Sequence, residues 1–346
     1  MKQIFIIALL ILSSMCHAQQ IVREKLIPSR NPSFSRMIFT PQGNILSTNG
    51  YRISGEIFYR YYFRLLSPQL DTLWTGSDMI QDAGTEWTIS TKTGDYVGSS
   101  SVFVGAATNR SDVKLSRYSS DLLVSRWTRQ YNLDGLQDIG AGLLEAADGY
   151  FIPAVSTRSD RDRFTLLKTD TAGTLLWQKS YGWSGNDLPA YTCYTQTGNI
   201  LMTGMSSPPP SYRLLVKMLL LDQNGDSLRS LAYEPFGPNR MATVNFNLND
   251  RVLPLRDRGF LLYSSLDSAG GQPLPFLLKV DEQLQPQWTF VYRPPIGGGL
   301  RNSIAFSGLC ELRDGSVLVL SANQASTTIN RPYYLLRVSP TGQPAQ

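Results

Sequence analysis

The stretch FTLLKTDTAGTLLWQKSY, residues 164–181, decides how this chain is to be read. It holds an apolar run, a polar turn ending in Gly173, a second apolar run and then Trp177. Asp-x-x-Gly followed by Trp can mark a cofactor box. The same letters also describe one copy of a structural repeat. Recurrence separates the two readings, because a repeat returns at a regular period along the chain.

The pattern returns. A turn with Gly followed by an apolar run occurs as TPQGNILS at Gly43, TKTGDYVG at Gly94, AADGYFIP at Gly149, TQTGNILM at Gly198, RDRGFLLY at Gly259 and LRDGSVLV at Gly315. The intervals are 51, 55, 49, 61 and 56 residues. A second element follows each: FRLLSPQL, VKLSRYSS, TLLKTDTAG, LLVKMLLLDQNG, FLLKVDEQL and YLLRVSPTG. In the fourth copy strands are expected over 190–196, 199–205, 214–221 and 227–233, separated by turns at Gly198 and Gly225. Glycine supplies the positive backbone angle that such hairpin turns need. Four short strands per copy, six times over, is the pattern of a β-propeller. The expected fold is all-β, a six-bladed propeller in one domain over residues 19–346.

Closure of the ring is also written in the chain. The last copy stops after its turn at SPTGQPAQ, one strand short, while QQIVREKLI, residues 19–27, offers a spare. Residues 21–25 align with 175–179, so the N-terminal strand is expected to complete the last blade and remove an open sheet edge. Trp177 lies four residues after Gly173; Trp74 and Trp288 hold the same offset from Leu70 and Leu284, and Arg229 takes that place in the fourth copy. A residue that recurs by blade is expected to pack between blades.

The first residues, MKQIFIIALLILSSMCHAQQ, combine Lys2, a nine-residue apolar core and a small residue at Ala18. That is the pattern of a signal peptide over residues 1–18, and the apolar core is too short to span a bilayer. The chain is therefore expected to be exported, to the periplasm, the cell surface or the medium, and not to span a membrane. Cleavage removes His17, the only histidine. Ser-His and Cys-His nucleophile pairs and His-ligated metal sites are then excluded. No cofactor and no metal are expected. Net charge is +5 with Lys and Arg scattered, which gives no footprint for nucleic acid. Cys193 and Cys310 fall in equivalent inner strands of blades four and six, too far apart for a disulfide, so two buried free thiols are expected.

In a propeller the loops between blades gather around the axis. Three of these loops place an Asp 11 or 12 residues before the turn glycine, namely Asp82, Asp138 and Asp187; the next two offer Arg240 and Arg301, and Trp183 stands in the loop before Asp187. Such a ring could hold a cation or a sugar, and two facing carboxylates could do glycosidase or lyase chemistry. Alternatively each Asp caps its own loop by accepting backbone N–H bonds. The segment DQNGDS at Asp222 has calcium-loop spacing but lacks the glycine and glutamate such a loop needs, and is read as a β-turn.

The third copy, with ADGYFI, LLKTDTAGTLLWQKSYG and SGND, resembles the propeller repeats of secreted Bacteroidota proteins, whose units look like DGGYIL-G … LLKTD-x-x-G-x-x-LW-x-K-x-YGG. The resemblance implies fold and compartment, not a reaction. Members often carry a C-terminal sorting domain, and none is expected here. The turn motif is also similar to the quinone-enzyme propeller repeat, without the metal-and-quinone motif. The functional expectation is a non-enzymatic binding or scaffold module for protein or glycan. The alternative is a glycan-active hydrolase or lyase using axial carboxylates.

Overall fold

A computed structural model describes residues 36–344 apart from positions 41 and 70 and the segments 53–58, 83–86, 105–109, 121–124, 134–135, 158–161, 183–185, 208–214, 235–243, 246–251, 268–272, 293–303 and 324–332. The described residues contain no helix. They form antiparallel meanders in chain order. The first is β1 (Arg36–Phe39), β2 (Ile45–Arg52), β3 (Tyr59–Leu66) and β4 (Thr72–Asp82). The second is β5 (Trp87–Ser90), β6 (Tyr96–Phe103), β7 (Ser111–Tyr118) and β8 (Ser125–Tyr131). The third has an interrupted first strand, β9 (Gln137–Gly140) and β10 (Leu144–Glu145), then β11 (Gly149–Thr157), β12 (Asp162–Asp170) and β13 (Leu175–Tyr181). The fourth is β14 (Asn186–Tyr194), β15 (Ile200–Ser207), β16 (Leu215–Leu221) and β17 (Ser227–Tyr233). The fifth again splits its first strand, β18 (Val244–Asn245) and β19 (Val252–Pro254), before β20 (Phe260–Asp267), β21 (Pro273–Val280) and β22 (Pro286–Val291). The sixth is β23 (Ile304–Glu311), β24 (Val317–Asn323) and β25 (Tyr333–Val338), with Val338 bridged to Pro344.

One turn geometry recurs where first strands join second and third strands join fourth, with the inner turn of the third meander, closed from Ala146 to Gly149, as an exception among the described residues. In the stretch 164–181 the N–H of Asp170 donates to the carbonyl of Thr174, and the N–H of Gly173 donates back to Asp170. Gly173 sits at φ 77°. A three-residue loop ending in a left-handed residue matches the twist of the flanking strands. Asp170 Oδ1 accepts the N–H groups of Ala172 (2.8 Å) and Thr174 (2.7 Å), so the Asp of the Asp-x-x-Gly motif holds its own turn. Asp222 does the same in the fourth meander, with Asn224 and Asp226 both at 2.8 Å, as its β-turn reading expects. A register shift accompanies it, the outer strand carrying one extra residue, Leu176 against Lys168 and Thr169 and Leu228 against Leu220 and Leu221.

The inner turn of the fifth meander corrects the sequence reading. There Arg258, not Gly259, occupies the left-handed position, with φ 68°. Gly259 is kept for a different reason, since a Cβ on it would lie 2.5 Å from the carbonyl oxygen of Val280.

The core lies between meanders, not within one. Strands of the third meander alternate by face: Ile152, Ala154 and Leu167 pack with Val97, Val113 and Leu115 of the second. Their neighbours Phe151, Phe164 and Leu166 pack with Ile200, Met202, Leu219 and Leu221 of the fourth. Val216, Met218 and Leu220 then meet Phe260, Leu262, Phe276 and Leu278 of the fifth. Leu261, Tyr263 and Leu277 meet Val317, Val319 and Val338 of the sixth. The first and second join through Leu46, Tyr96 and Tyr118. A period of two with both faces buried makes each sheet the filling between its neighbours. Each fully buried side chain of this size contributes about 1.5–3 kcal/mol, so the seams outweigh any single turn. Backbone pairing between meanders is sparse: Asp82 with Val102 and Ser111 with Gln137 link the first three. The third to sixth belong to separate sheets and meet through side chains. The result is an all-β, propeller-like stack. The segment 19–27, expected to close the ring, lies outside the described residues.

Candidate functional site

Turns joining first to second and third to fourth strands lie at one end of a meander; the loops between meanders lie at the other. The candidate acids belong to the loop end. Asp138 and Asp187 occupy matching places, each on the first strand of its meander and opposite a serine, Ser156 and Ser206. Both are fully buried. Asp138 Oδ2 accepts the N–H of Leu133 at 2.7 Å, and its carbonyl accepts Ser111 Oγ at 3.2 Å. It therefore pins the loop that enters its own meander. Asp187 Oδ2 receives Lys217 Nζ at 2.8 Å, with both side chains inaccessible to solvent. That ammonium also lies 5.0 Å from the ring centre of Phe164, which belongs to the third meander. A cation over an aromatic face gains from the ring quadrupole when water is excluded.

Asp82 ends β4, where its backbone pairs with Tyr59 and Val102. Its side chain lies outside the described residues, as do Trp183, Arg240 and Arg301 entirely. The structure thus brings together acid and lysine at Asp187 and acid and loop backbone at Asp138. Among the described residues no group of three or more His, Cys, Asp or Glu side chains gathers to hold a metal, and no helix is long and apolar enough to cross a membrane.

In LLVKMLLLDQNG, Lys217 interrupts an otherwise apolar run. Its strand carries the missed signal: Val216 and Met218 face the fifth meander, so Lys217 shares the buried face of Leu219 and Leu221. A lysine there needs a buried anion. Neither cysteine forms a disulfide, as expected, but only Cys193 is buried, which pushes its thiol up to about 12. Cys310 is half-buried, which corrects the expectation of two buried thiols.

Of the recurrent tryptophans Trp177 and Trp288 bind seams; the side chain of Trp74 lies outside the described residues. Trp177 lies against Gly225 of the next meander, where an added Cβ would come within 2.6 Å of its ring, and Tyr181 Oη donates to the Gly225 carbonyl at 2.6 Å. Trp288 covers Gly342 in the same way and donates to the Pro340 carbonyl at 2.9 Å. Trp127, which the offset rule passed over, covers Gly173, and Tyr131 Oη donates to its carbonyl at 2.7 Å.

No family model and no curated protein matches the chain. Solved structures do resemble it. A Dyadobacter fermentans protein of unknown function aligns with TM-score 0.51 at 11% identity, over 86% of this chain and 91% of that one. An endo-arabinase from Bacteroides thetaiotaomicron gives 0.41 at 11% over 73% and 92%. A Hadza microbial sialidase, Hz136, gives 0.48 at 11% over 83% of this chain and 65% of that one. Likeness at such identity concerns the fold alone.

Proposed function

We propose that this chain is an exported six-bladed β-propeller that holds a protein or glycan partner without transforming it. Residues 1–18 are read as a cleaved signal peptide, and residues 19–346 as one domain whose last blade is completed by the strand within 19–27. The regular succession of two-faced meanders supports this closure.

The observation that carries the non-catalytic reading is the engagement of the two buried acids. Glycoside cleavage by paired carboxylates needs one acid that gives up a proton and one free anion, both facing substrate. Asp187 is held by Lys217 and Asp138 by the Leu133 N–H. Turning either toward a substrate leaves a buried charge or a loop donor unpaired. Purified protein incubated with a panel of neutral and acidic polysaccharides is expected to release no new reducing ends, while retention on a glycan array or recovery of one partner by crosslinking is expected. New reducing ends that disappear in Asp138→Asn or Asp187→Asn would establish the hydrolase reading instead.

A further inference from the structure

The seam between the fourth and fifth meanders departs from the repeat at each position that meets there. In the second, third and fifth meanders a cation on the third strand faces a tryptophan on the outer strand, Arg117 opposite Trp127, Lys168 opposite Trp177 and Lys279 opposite Trp288, and in the first Leu65 stands opposite Trp74. In the fourth meander the pair is inverted, with Leu220 opposite Arg229. The inner-turn acid that receives such a cation, as Asp148 does for Lys168 and Asp257 for Lys279, has no counterpart in the turn 195–199, which carries Thr197 and Asn199. Across the seam the two left-handed turn positions hold Arg258 (φ 68°) and Leu284 (φ 62°), the two non-glycine residues with positive φ among the described residues. Backbone held in so unfavourable a region persists where the surroundings require it, and such positions cluster at ligand sites.

These changes open a cleft of about 150 Å³ at the turn end of the stack, the end opposite Asp138 and Asp187. Leu220 and Phe260 form its apolar floor, and Thr197, Asn199 and Gln283 present hydroxyl and amide groups. Arg229 lies exposed at its wall and, among the described residues, has no ion-pair partner. Arg258 is offset by Glu282 at 3.3 Å, so the cleft carries one uncompensated guanidinium.

We propose that this cleft binds a single carboxylated sugar unit, a uronate, on an acidic glycan. The planar fork of Arg229 suits a carboxylate in bidentate contact. The neutral hydroxyl and amide groups suit ring hydroxyls, and Leu220 suits the C–H face of the ring. Glu282 at the rim disfavours a run of acidic peptide side chains, which would bring several charges against it. The site stands independently of any role for the loop-end acids.

Titration calorimetry of the full chain with D-glucuronate, D-glucose and a capped tri-glutamate peptide tests it. Saturable glucuronate binding is expected, weakening as salt screens the contact, with no binding of glucose. Arg229→Ala should lower affinity by about tenfold or more, and Arg229→Lys should not restore it. Arg258→Gly gives that turn the glycine of its counterparts; it should leave the melting temperature unchanged or higher while affinity falls, a split that mere loss of fold cannot produce. Absence of saturable glucuronate binding, equal binding of glucose, or unchanged binding in Arg229→Ala would overturn the proposal. Binding of the glutamate peptide in place of glucuronate would overturn it in favour of a protein partner.

Discussion

The third and fourth meanders meet under Trp177, whereas the fourth and fifth meet under Leu284. In the first seam a large ring is supplied from one side and a bare glycine, Gly225, receives it. In the second, the outer strand offers Arg229, which stays exposed, and the receiving turn carries Leu284, which is buried in the seam cluster beside Leu220 and Val280. Where the tryptophan is lost, the glycine is lost with it, and a leucine from the far side covers the turn despite an unfavourable backbone angle. The contact surface is thus conserved as a joint quantity of two strands in different meanders. The same exchange removes a cation–acid pair from the interior and leaves a polar cleft.

The comparison can be broken most forcefully at Lys217. Lys217→Met leaves the Asp187 carboxylate buried without its ammonium, which costs about 3–5 kcal/mol, and chemical denaturation should register it. A cost below about 1 kcal/mol would mean that the buried pair does not hold this seam. Joint replacement, Lys217→Met with Asp187→Leu, should recover most of the loss.

A smaller effect is expected at the latch. Trp177→Ala should cost about 2–4 kcal/mol, since the ring is part-buried, whereas Arg229→Ala at the matching place should stay within about 0.5 kcal/mol. Gly225→Ala forces a Cβ into the ring and a side chain into positive φ. It should cost less in the Trp177→Ala background than alone, and a double-mutant cycle on denaturation midpoints measures the difference. Additive costs would mean that ring and glycine do not act as one contact.

The smallest effect is acid sensitivity of the turns. Hydrogen bonds from the Thr174 and Asp226 backbone hold the Asp170 and Asp222 carboxyls below the usual carboxylate value of 3.8. Asp314 is held at about 2, chiefly by bonds from Ser316. A lowered folded-state value contributes stability that is complete above the ordinary carboxylate range and is lost as pH falls through the folded value. Melting temperature should therefore drop between about pH 4 and pH 2, by less in Asp170→Ser, which swaps in the residue type that caps the same turn as Ser67 and Ser339.

What the sequence discloses depends on how far apart the cooperating residues lie. A three-residue turn is encoded within five positions, so Gly173 and Asp170, Gly225 and Asp222 could be read directly. In the fourth meander β17 (Ser227–Tyr233) has its expected bounds and β16 (Leu215–Leu221) nearly so, whereas β14 (Asn186–Tyr194) begins four residues before the expected 190 and β15 (Ile200–Ser207) runs two past the expected 205, ends that no turn glycine marks. Where glycine has two possible duties the reading slips by one position, as at Arg258 and Gly259. Seam partners stand some 45 to 55 residues apart, as Trp177 does from Gly225 and Trp288 from Gly342, and Lys217 stands 30 from Asp187 within one meander; nothing local announces either kind of pair. Trp127 belongs to a copy whose segment before it, SSDLLVSRW, lacks a turn glycine, and its ring still finds Gly173.

The pairing of Arg229 with Leu284 also restricts how such a gene can grow. A tandem copy of the fourth meander would set Arg229 against the bare turn at Gly225 and leave a hole where a ring belongs. A copy of the third would instead meet a glycine on either side. Whole-unit duplications are therefore tolerated on one flank of the molecule and penalised on the other, so that the order of the units is inherited along with their number.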